Sequence, residues 1–173
     1  MANVIAARRD LARKIWEYAE SFGDSADVLA AMHKERLKGS PFTFTDSQKF
    51  IPTAILDSFS SELYFKTLHR LEFGRDVRGH DYERLFKALP AGTQKCVREM
   101  YKIRLRKENL RTMSAKAKAL TPFDECLANS SQVFQSLRYL YEEPKNLMFY
   151  WPLLRLSLRD TIIGICPEWS TMK

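Results

Sequence analysis

The chain has 173 residues, 45% of them hydrophobic and 28% charged, and a formal net charge of +7. This composition is that of a globular protein rather than a disordered chain, and the length fits one domain, residues 1–173, with a single hydrophobic core. The longest nearly uncharged apolar stretch, Leu147 to Leu154, is far shorter than the roughly 20 residues that span a bilayer, so we expect no membrane contact and a cytoplasmic protein.

Apolar residues recur at three- and four-residue spacings along most of the chain, which predicts amphipathic helices. The first helix is predicted over residues 3–22 and to end at Gly23, because glycine commonly follows the last residue of a helix. Ser25 can then cap a second helix, which is expected to reach a break at residues 39–41.

The next predicted helix carries the motif discussed below. It begins near Thr45, and Pro52 either kinks it or marks its true start, because proline is tolerated only in the first turn of a helix. We expect this helix to continue to about Phe73. Gly74 and Gly79 then bracket a short charged loop.

The second half of the chain also reads as helical. Asp81 can cap a short helix that closes before Pro90, and a long basic helix is expected over about residues 93–110. The Thr-Pro pair at residues 121–122 starts another helix, and the last is expected over about residues 145–166. Because strand-type alternation is almost absent, we predict an all-α protein, a bundle of helices.

The cysteines give no sign of a metal or disulfide framework. Cys96, Cys126 and Cys166 are widely spaced, and no Cys-x-x-Cys pair or histidine cluster accompanies them, which predicts buried reduced thiols. The sequence also lacks a P-loop, a Gly-x-Gly-x-x-Gly turn and a Gly-x-Ser-x-Gly elbow. We therefore expect no metal site and no cofactor.

Positive charge concentrates in residues 95–118, which hold five Lys and four Arg against Glu99 and Glu108. Clustered cations gain affinity for polyanions by releasing phosphate counterions, which makes nucleic acid a candidate partner. The alternative is a basic helix face that is simply solvated.

The strongest candidates for chemistry lie on a predicted helix–loop–helix. Glu62 and Lys66 are one turn apart, in the orientation that favours an ion pair. His80 follows in a loop with Arg75 and Arg78, which places an imidazole beside fixed positive charge that could hold a phosphate. Cleavage of RNA by its 2′-hydroxyl needs such parts, a histidine to move protons and an arginine to stabilise charge on the phosphate. The alternative is that His80 belongs to a helix cap and both arginines are solvated.

Aromatic and basic residues also alternate near the end of the chain. Arg138, Tyr139 and Tyr141 are followed by an aromatic cluster at residues 148–151. Such side chains can stack on nucleic-acid bases. At helical spacing they could instead form core or the interface of a dimer.

Two segments, SELYFKTLHRLEFG and GHDYERLFKAL, resemble the HEPN domain, the helical "higher eukaryotes and prokaryotes nucleotide-binding" superfamily. Members often combine a Glu-Leu-x-x-Lys helix, a variable loop, and a helix that begins with His-Asp-Leu and continues to Leu-Phe or Leu-Tyr. The matching positions in this chain are Glu62, Leu63, Lys66, His80, Asp81, Leu85 and Phe86.

The resemblance implies an all-α, HEPN-like bundle of four to five main antiparallel helices with short additional helices, and such bundles commonly dimerise. It also implies, as in many relatives, a metal-independent ribonuclease of toxin–antitoxin, phage-defence or RNA-processing systems. The signature of those relatives is an arginine, usually with a polar residue directly after it, and a histidine four to six residues later. Arg75, Asp76 and His80 satisfy this pattern, which makes Arg75 and His80 the expected catalytic residues. If Arg138 takes the arginine position instead, no histidine follows and the protein is inactive.

We therefore expect a HEPN-like protein that binds RNA or a nucleotide, forms a homodimer and has an antitoxin or other operon-encoded partner. The competing expectation is a catalytically inactive dimeric interaction or regulatory module, and a third is a small-molecule pocket inside the bundle. The candidate binding residues are Arg78, Glu62, Lys66, Arg138 and Tyr141.

Overall fold

The computed structural model describes residues 2–38, 50–111, 121–138 and 152–171. These residues form six α-helices and a closing 3-10 helix: α1 (Ala2–Arg36), α2 (Ile51–Phe73), α3 (Tyr82–Lys87), α4 (Ala91–Arg111), α5 (Phe123–Arg138), α6 (Leu153–Ile165) and Pro167–Thr171. The described part of the chain contains no strand, which confirms the prediction of an all-α protein.

Helices α1 and α2 pack side by side and run antiparallel. Contacts between them pair successively earlier residues of α1 with successively later residues of α2, as a hairpin of helices requires. The pairs along this interface are His33 with Phe50, Phe22 with Phe59, Glu20 with Tyr64, and Arg8 with Gly74.

The predicted helix end at Gly23 is wrong, because α1 continues through it to Arg36. The glycine is needed for close packing: a Cβ there would lie 2.5 Å from Nη1 of Arg155 and 3.1 Å from Oγ of Ser60. Ser25 does not cap a second helix either, since its hydroxyl donates to the carbonyl of Ser21 one turn earlier. The predicted break at residues 39–41 lies outside the described residues.

The bounds of α2 agree with the sequence prediction. The helix starts at Ile51, so Pro52 occupies its first turn and marks the true start. It ends at Phe73, and Gly74 follows with φ of 67°, the left-handed conformation that glycine adopts without strain. A Cβ on Gly74 would meet the outer atoms of the Arg8 side chain of α1, which is exposed and can move, so the positive φ is the reason that glycine is required here. The predicted beginning near Thr45 lies outside the described residues.

The later helices follow their predicted signals closely. Asp81 caps α3, which ends before Pro90, and α4 begins two residues earlier than predicted. Helix α5 starts directly after Pro122. The final helix begins after Pro152 and ends before Pro167, while the portion predicted from residue 145 lies outside the described residues.

One apolar core joins all the helices. Its largest fully buried side chains are aromatic and come from α1 to α4: Trp16, Tyr64, Phe65, Tyr82, Phe86 and Tyr101. Cys126 and Cys166 lie in this core, as predicted, and burial raises the pKa of both thiols. The prediction is wrong for Cys96, which is exposed on α4. None of the helices in the described ranges is long and apolar enough to cross a bilayer.

Candidate functional site

Glu62 lies at the centre of the candidate site and receives two cations. Its side chain on α2 is 7% exposed; Oε1 accepts a hydrogen bond from Nζ of Lys66 at 2.5 Å, and Oε2 lies 2.8 Å from Nδ1 of His80. Lys66 is one turn along the same helix, whereas His80 arrives from the loop that follows α2. The structure therefore brings together three of the predicted site residues. We call Glu62, Lys66 and His80 the Glu62 triad.

The position of His80 is set by the helix cap next to it. The Asp81 carboxylate accepts hydrogen bonds from the backbone N–H of Arg84 and the hydroxyl of Ser131, both at 3.0 Å. Ser131 on α5 also accepts from the backbone N–H of Tyr82 at 2.7 Å. The backbone hydrogen bond from Arg84 is the main cause that lowers the pKa of Asp81. This cap anchors the end of the loop against two helices.

The geometry of the triad suits proton transfer. A neutral imidazole that donates its Nδ1 hydrogen to a carboxylate has its acceptor lone pair on Nε2, the arrangement of a general base. When Nε2 takes up a proton, the negative charge of Glu62 stabilises the resulting imidazolium. The His80 side chain is 57% exposed, so a substrate can reach it from solvent.

Arg75 and Arg78 lie on the same loop as His80 and are exposed. Between them, Val77 packs against the core and Asp76 pairs with Arg70 at 3.3 Å, which holds this part of the loop on the bundle. Among the described residues, neither arginine forms a hydrogen bond or ion pair with the Glu62 triad. Both arginines are therefore exposed on the loop and separate from the triad.

The structure does not describe the side chains of the two candidate binding residues in the last third of the chain, Arg138 and Tyr141, so their distance from the Glu62 triad is not defined. Arg138 is the last residue of α5, and its side chain lies outside the described part of the chain. Tyr141 and the aromatic cluster at residues 148–151 lie outside the described residues as well. The assignment of Arg75 as the motif arginine therefore stays a prediction, with Arg138 as the alternative.

The structure contains a buried ionic cluster that the sequence reading missed. Arg155 on α6 is almost fully buried and donates to Asp57 on α2 at 2.7 Å and to Asp27 on α1 at 2.5 Å. Nearby, the Tyr82 hydroxyl donates to the backbone carbonyl of Ser58 at 2.5 Å. Burial raises the pKa of Tyr82, and the charges of Glu62 and Asp57 raise it further.

A second ion pair, which is only partly buried, lies on the same helix as Arg155. Arg159, one turn after Arg155, holds the Glu20 carboxylate with two nitrogens at 2.8 to 3.0 Å, and Tyr64 donates to the same carboxylate. Burial is the main cause that raises the pKa of Tyr64. The signal in the sequence was two arginines at i, i+4 spacing within the otherwise apolar LLRLSLR segment. Charges on a buried helix face require partners, so this spacing was a usable clue.

No protein-family model, curated protein or solved structure matches this chain. The HEPN resemblance therefore stays a prediction that rests on the two short segments quoted above. The arguments about function that follow depend on the Glu62 triad, its loop and the charges around it.

Proposed function

We propose that this chain is a HEPN-like helical protein that binds RNA and cleaves it without a metal, with His80 moving the proton. The observation that carries the proposal is the exposed His80 imidazole, whose Nδ1 lies 2.8 Å from the buried carboxylate of Glu62. A carboxylate in this position orients a proton-transfer histidine and stabilises its charged form. Homodimerisation and a toxin or phage-defence context belong to the same proposal through the resemblance.

The proposed reaction is attack of an RNA 2′-hydroxyl on the adjacent phosphorus. Nε2 of His80 accepts the hydroxyl proton as the 2′-oxygen forms its bond to phosphorus, and the bond from phosphorus to the 5′-oxygen breaks. The 5′-oxygen leaves with a proton from water, and the hydroxide so formed takes the proton back from Nε2, which yields a 2′,3′-cyclic phosphate and a 5′-hydroxyl end and restores the imidazole. Glu62 stabilises the imidazolium formed in the first step, and Lys66 holds the other oxygen of the Glu62 carboxylate at 2.5 Å.

The two exposed arginines supply the positive charge that this reaction requires. Arg75 and Arg78 lie on the loop that ends at His80, and their guanidinium groups can each donate two hydrogen bonds to phosphate oxygens. Negative charge on those oxygens grows as the fifth bond to phosphorus forms. Arginine donors placed there lower the barrier more than they strengthen ground-state binding.

Substitution of His80 tests the proposal directly. We expect His80→Ala to reduce cleavage of a labelled single-stranded RNA by about 10²–10⁴-fold, the usual contribution of a general base. Cleavage is followed by gel electrophoresis, with detection of the cyclic phosphate at the new 3′ end. The matched control is His33→Ala, which removes an imidazole whose ring centre is 5.0 Å from that of Phe50, away from the triad.

The melting temperature of each variant separates loss of chemistry from loss of folding. Equal cleavage by wild-type protein and His80→Ala at equal melting temperatures would rule out His80 as the base. Cleavage that disappears in both histidine variants would point to a general effect on the fold, whereas a contaminating nuclease would leave both variants as active as wild type.

A noncatalytic interaction module is the second candidate, and one observation favours it. The same contacts that orient His80 also join the loop to α2 through Glu62, and Asp81 joins α3 to α5 through Ser131. In that case wild-type protein cleaves no RNA, and His80→Ala lowers the melting temperature without any change in activity. A nucleotide that raises the melting temperature while RNA does not would favour a small-molecule site instead.

A further inference from the structure

The outward face of α4 carries a line of cations. Lys95, Lys102 and Arg106 are exposed, and at 100° per residue they lie within about 40° of one another around the helix. We call these three residues the α4 basic stripe. The opposite side of the helix buries Val97 and Tyr101 in the core, which fixes the orientation of the stripe towards solvent.

Two other arginines of this helix are already neutralised by neighbouring helices. Arg98 holds Asp124 of α5 with two hydrogen bonds of 2.8 and 3.0 Å, and its guanidinium lies over the ring of Phe123. Arg104 likewise holds Asp160 of α6 at 2.6 and 2.7 Å. These pairs are structural, and they leave the remaining cations of α4 on the exposed side.

Among the described side chains of α4, Glu99 is the one carboxylate that lies next to the cations of the α4 basic stripe. It accepts a hydrogen bond from Lys102 at 2.8 Å, which is the main cause that lowers the pKa of Glu99. The charges of Lys95 and Arg106 lower it further, so all three cations of the stripe act on this one group. Three positive charges around one negative charge leave a net positive surface.

The spacing of the stripe suits an extended polyanion. At 1.5 Å per residue, Lys95 and Lys102 are about 10 Å apart along the axis, and Arg106 lies about 6 Å further on. A small anion can touch one of these positions, whereas a strand with a phosphate at every nucleotide can contact all three.

A nucleic acid fits this face better than a membrane surface does. A helix that lies on a bilayer needs a broad apolar face beside its cations. Among the large hydrophobic side chains of α4 that the structure describes, Ile103 is the one that is exposed, at 42%. The apolar side of the helix is occupied by the protein core.

We propose that the α4 basic stripe docks the phosphodiester backbone of an RNA strand. The choice of RNA as the physiological strand rests on the proposed function, while the docking itself depends only on the charges of α4. The stripe reads backbone and no base, so binding is expected to be independent of sequence and sensitive to salt.

The test compares two triple variants with equal changes in charge. One variant is Lys95→Gln, Lys102→Gln and Arg106→Gln on α4. The control removes two lysines and one arginine that are exposed on α1, and its substitutions are Lys14→Gln, Lys34→Gln and Arg36→Gln. Binding to a 2′-O-methyl single-stranded RNA, which cannot be cleaved, is measured by fluorescence anisotropy between 0.05 and 1 M salt (about one decade, enough to resolve a slope). Single-stranded DNA of the same sequence and vesicles of anionic phospholipid are measured in parallel.

We expect the α4 variant to lose up to about 2 units of slope in log affinity against log salt, since each phosphate contact on a single strand contributes about 0.7. If affinities converge near 1 M salt, that slope corresponds to a loss of up to about 100-fold at 0.1 M. The α1 control is expected to match wild type. Equal binding to RNA and DNA would support docking through the phosphodiester backbone alone. Tighter binding to RNA would support docking through the backbone together with a contact to the 2′-oxygen.

Three results would overturn the proposal: no RNA binding by wild-type protein at low salt, equal losses in both triple variants, or binding to the vesicles without binding to RNA. Failure of the proposed function is a separate outcome. A wild-type protein that binds RNA through the stripe but cleaves none would retain the docking surface and lose the ribonuclease.

Discussion

Asp81 links the loop that carries His80 to the start of α3. Its carboxylate accepts the backbone N–H of Arg84 and the hydroxyl of Ser131, so it satisfies one of the donors left unpaired at the helix start. These hydrogen bonds favour the ionised form and lower the pKa of Asp81 below its ordinary value of 3.8. The stabilisation is therefore fully present above pH 3.8 and is lost as the pH falls through the lower pKa of the folded protein.

At pH 7 we expect Asp81→Ala to lower the free energy of unfolding by about 1 kcal/mol, the usual cost of removing such a cap. The difference from wild type should shrink in acid, where the wild-type carboxyl becomes protonated. Urea unfolding at a series of pH values measures both effects. Asp81→Asn is the matched control, because it keeps an acceptor and lacks the titration; a constant difference between Ala variant and wild type at every pH would contradict this account.

At this scale, local contacts were predictable and distant ones were not. The Glu62–Lys66 ion pair and the Asp81 cap depend on spacings of three or four residues, which the sequence displays. The contact of His80 with Glu62 spans 18 residues and requires the loop to fold back on α2. Spacing in the sequence carries no information about such a return, so His80 was predicted as a candidate without its partner.

At the scale of elements, Gly23 decides how closely α1 approaches α6. An alanine in a helix is normally more stable than a glycine by about 0.5–1 kcal/mol, because it restricts the unfolded chain. At this position the added Cβ would lie 2.5 Å from Nη1 of Arg155, which Asp57 and Asp27 hold in place. The side chain cannot move without losing an ion pair.

We therefore expect Gly23→Ala to destabilise the protein by about 1–3 kcal/mol, the typical cost of overpacking. Gly164→Ala on α6 is the matched control, because its Cβ meets nothing within 4 Å, and it should be neutral or stabilising. Thermal unfolding followed by circular dichroism compares the two. A stabilised Gly23→Ala variant would mean that α1 and α6 can separate at no cost.

The surroundings of Gly23 explain why the predicted end of α1 at this residue was wrong. Glycine at position 23 reads locally as a stop, yet it is buried against Ser60 and Arg155 in the interior of a 35-residue helix. The contact that requires it comes from a residue more than a hundred positions later in the chain. Where glycine and proline act on their own backbone, as at Gly74 and Pro52, the predicted bounds of α2 were right.

At the scale of the whole molecule, Arg155 joins three helices. Its guanidinium contacts Asp57 on α2 and Asp27 on α1 from a position on α6 that is 3% exposed. Such a group adds little stability compared with an apolar side chain, but its removal leaves two carboxylates without their cation. Asp57 is 26% exposed, so it cannot fully rehydrate without movement of the helices.

We expect Arg155→Ala to cost about 3 kcal/mol, the low end of the range for a broken buried pair, because Asp27 is 56% exposed and can return to water. Arg13→Ala, which removes the exposed partner of Glu17 on α1, should cost only about 0.3–0.5 kcal/mol. The midpoint of urea unfolding measures both, with an unchanged slope required for the comparison. If both variants shifted the urea midpoint by a similar small amount, the Arg155 cluster would contribute no more than an exposed ion pair.

The Arg155 cluster also sets an order for folding during synthesis. Arg155 follows Asp57 by 98 residues and Asp27 by 128, so both carboxylates leave the ribosome long before their cation exists. At a synthesis rate of about 5–20 residues per second, about 5–20 s pass between the synthesis of Asp57 and that of Arg155. During this time the negative charges of Asp27 and Asp57 do not have Arg155 between them. The carboxylates of the α1–α2 hairpin therefore obtain their cation only after α6, the last α-helix that the structure describes, has been synthesised.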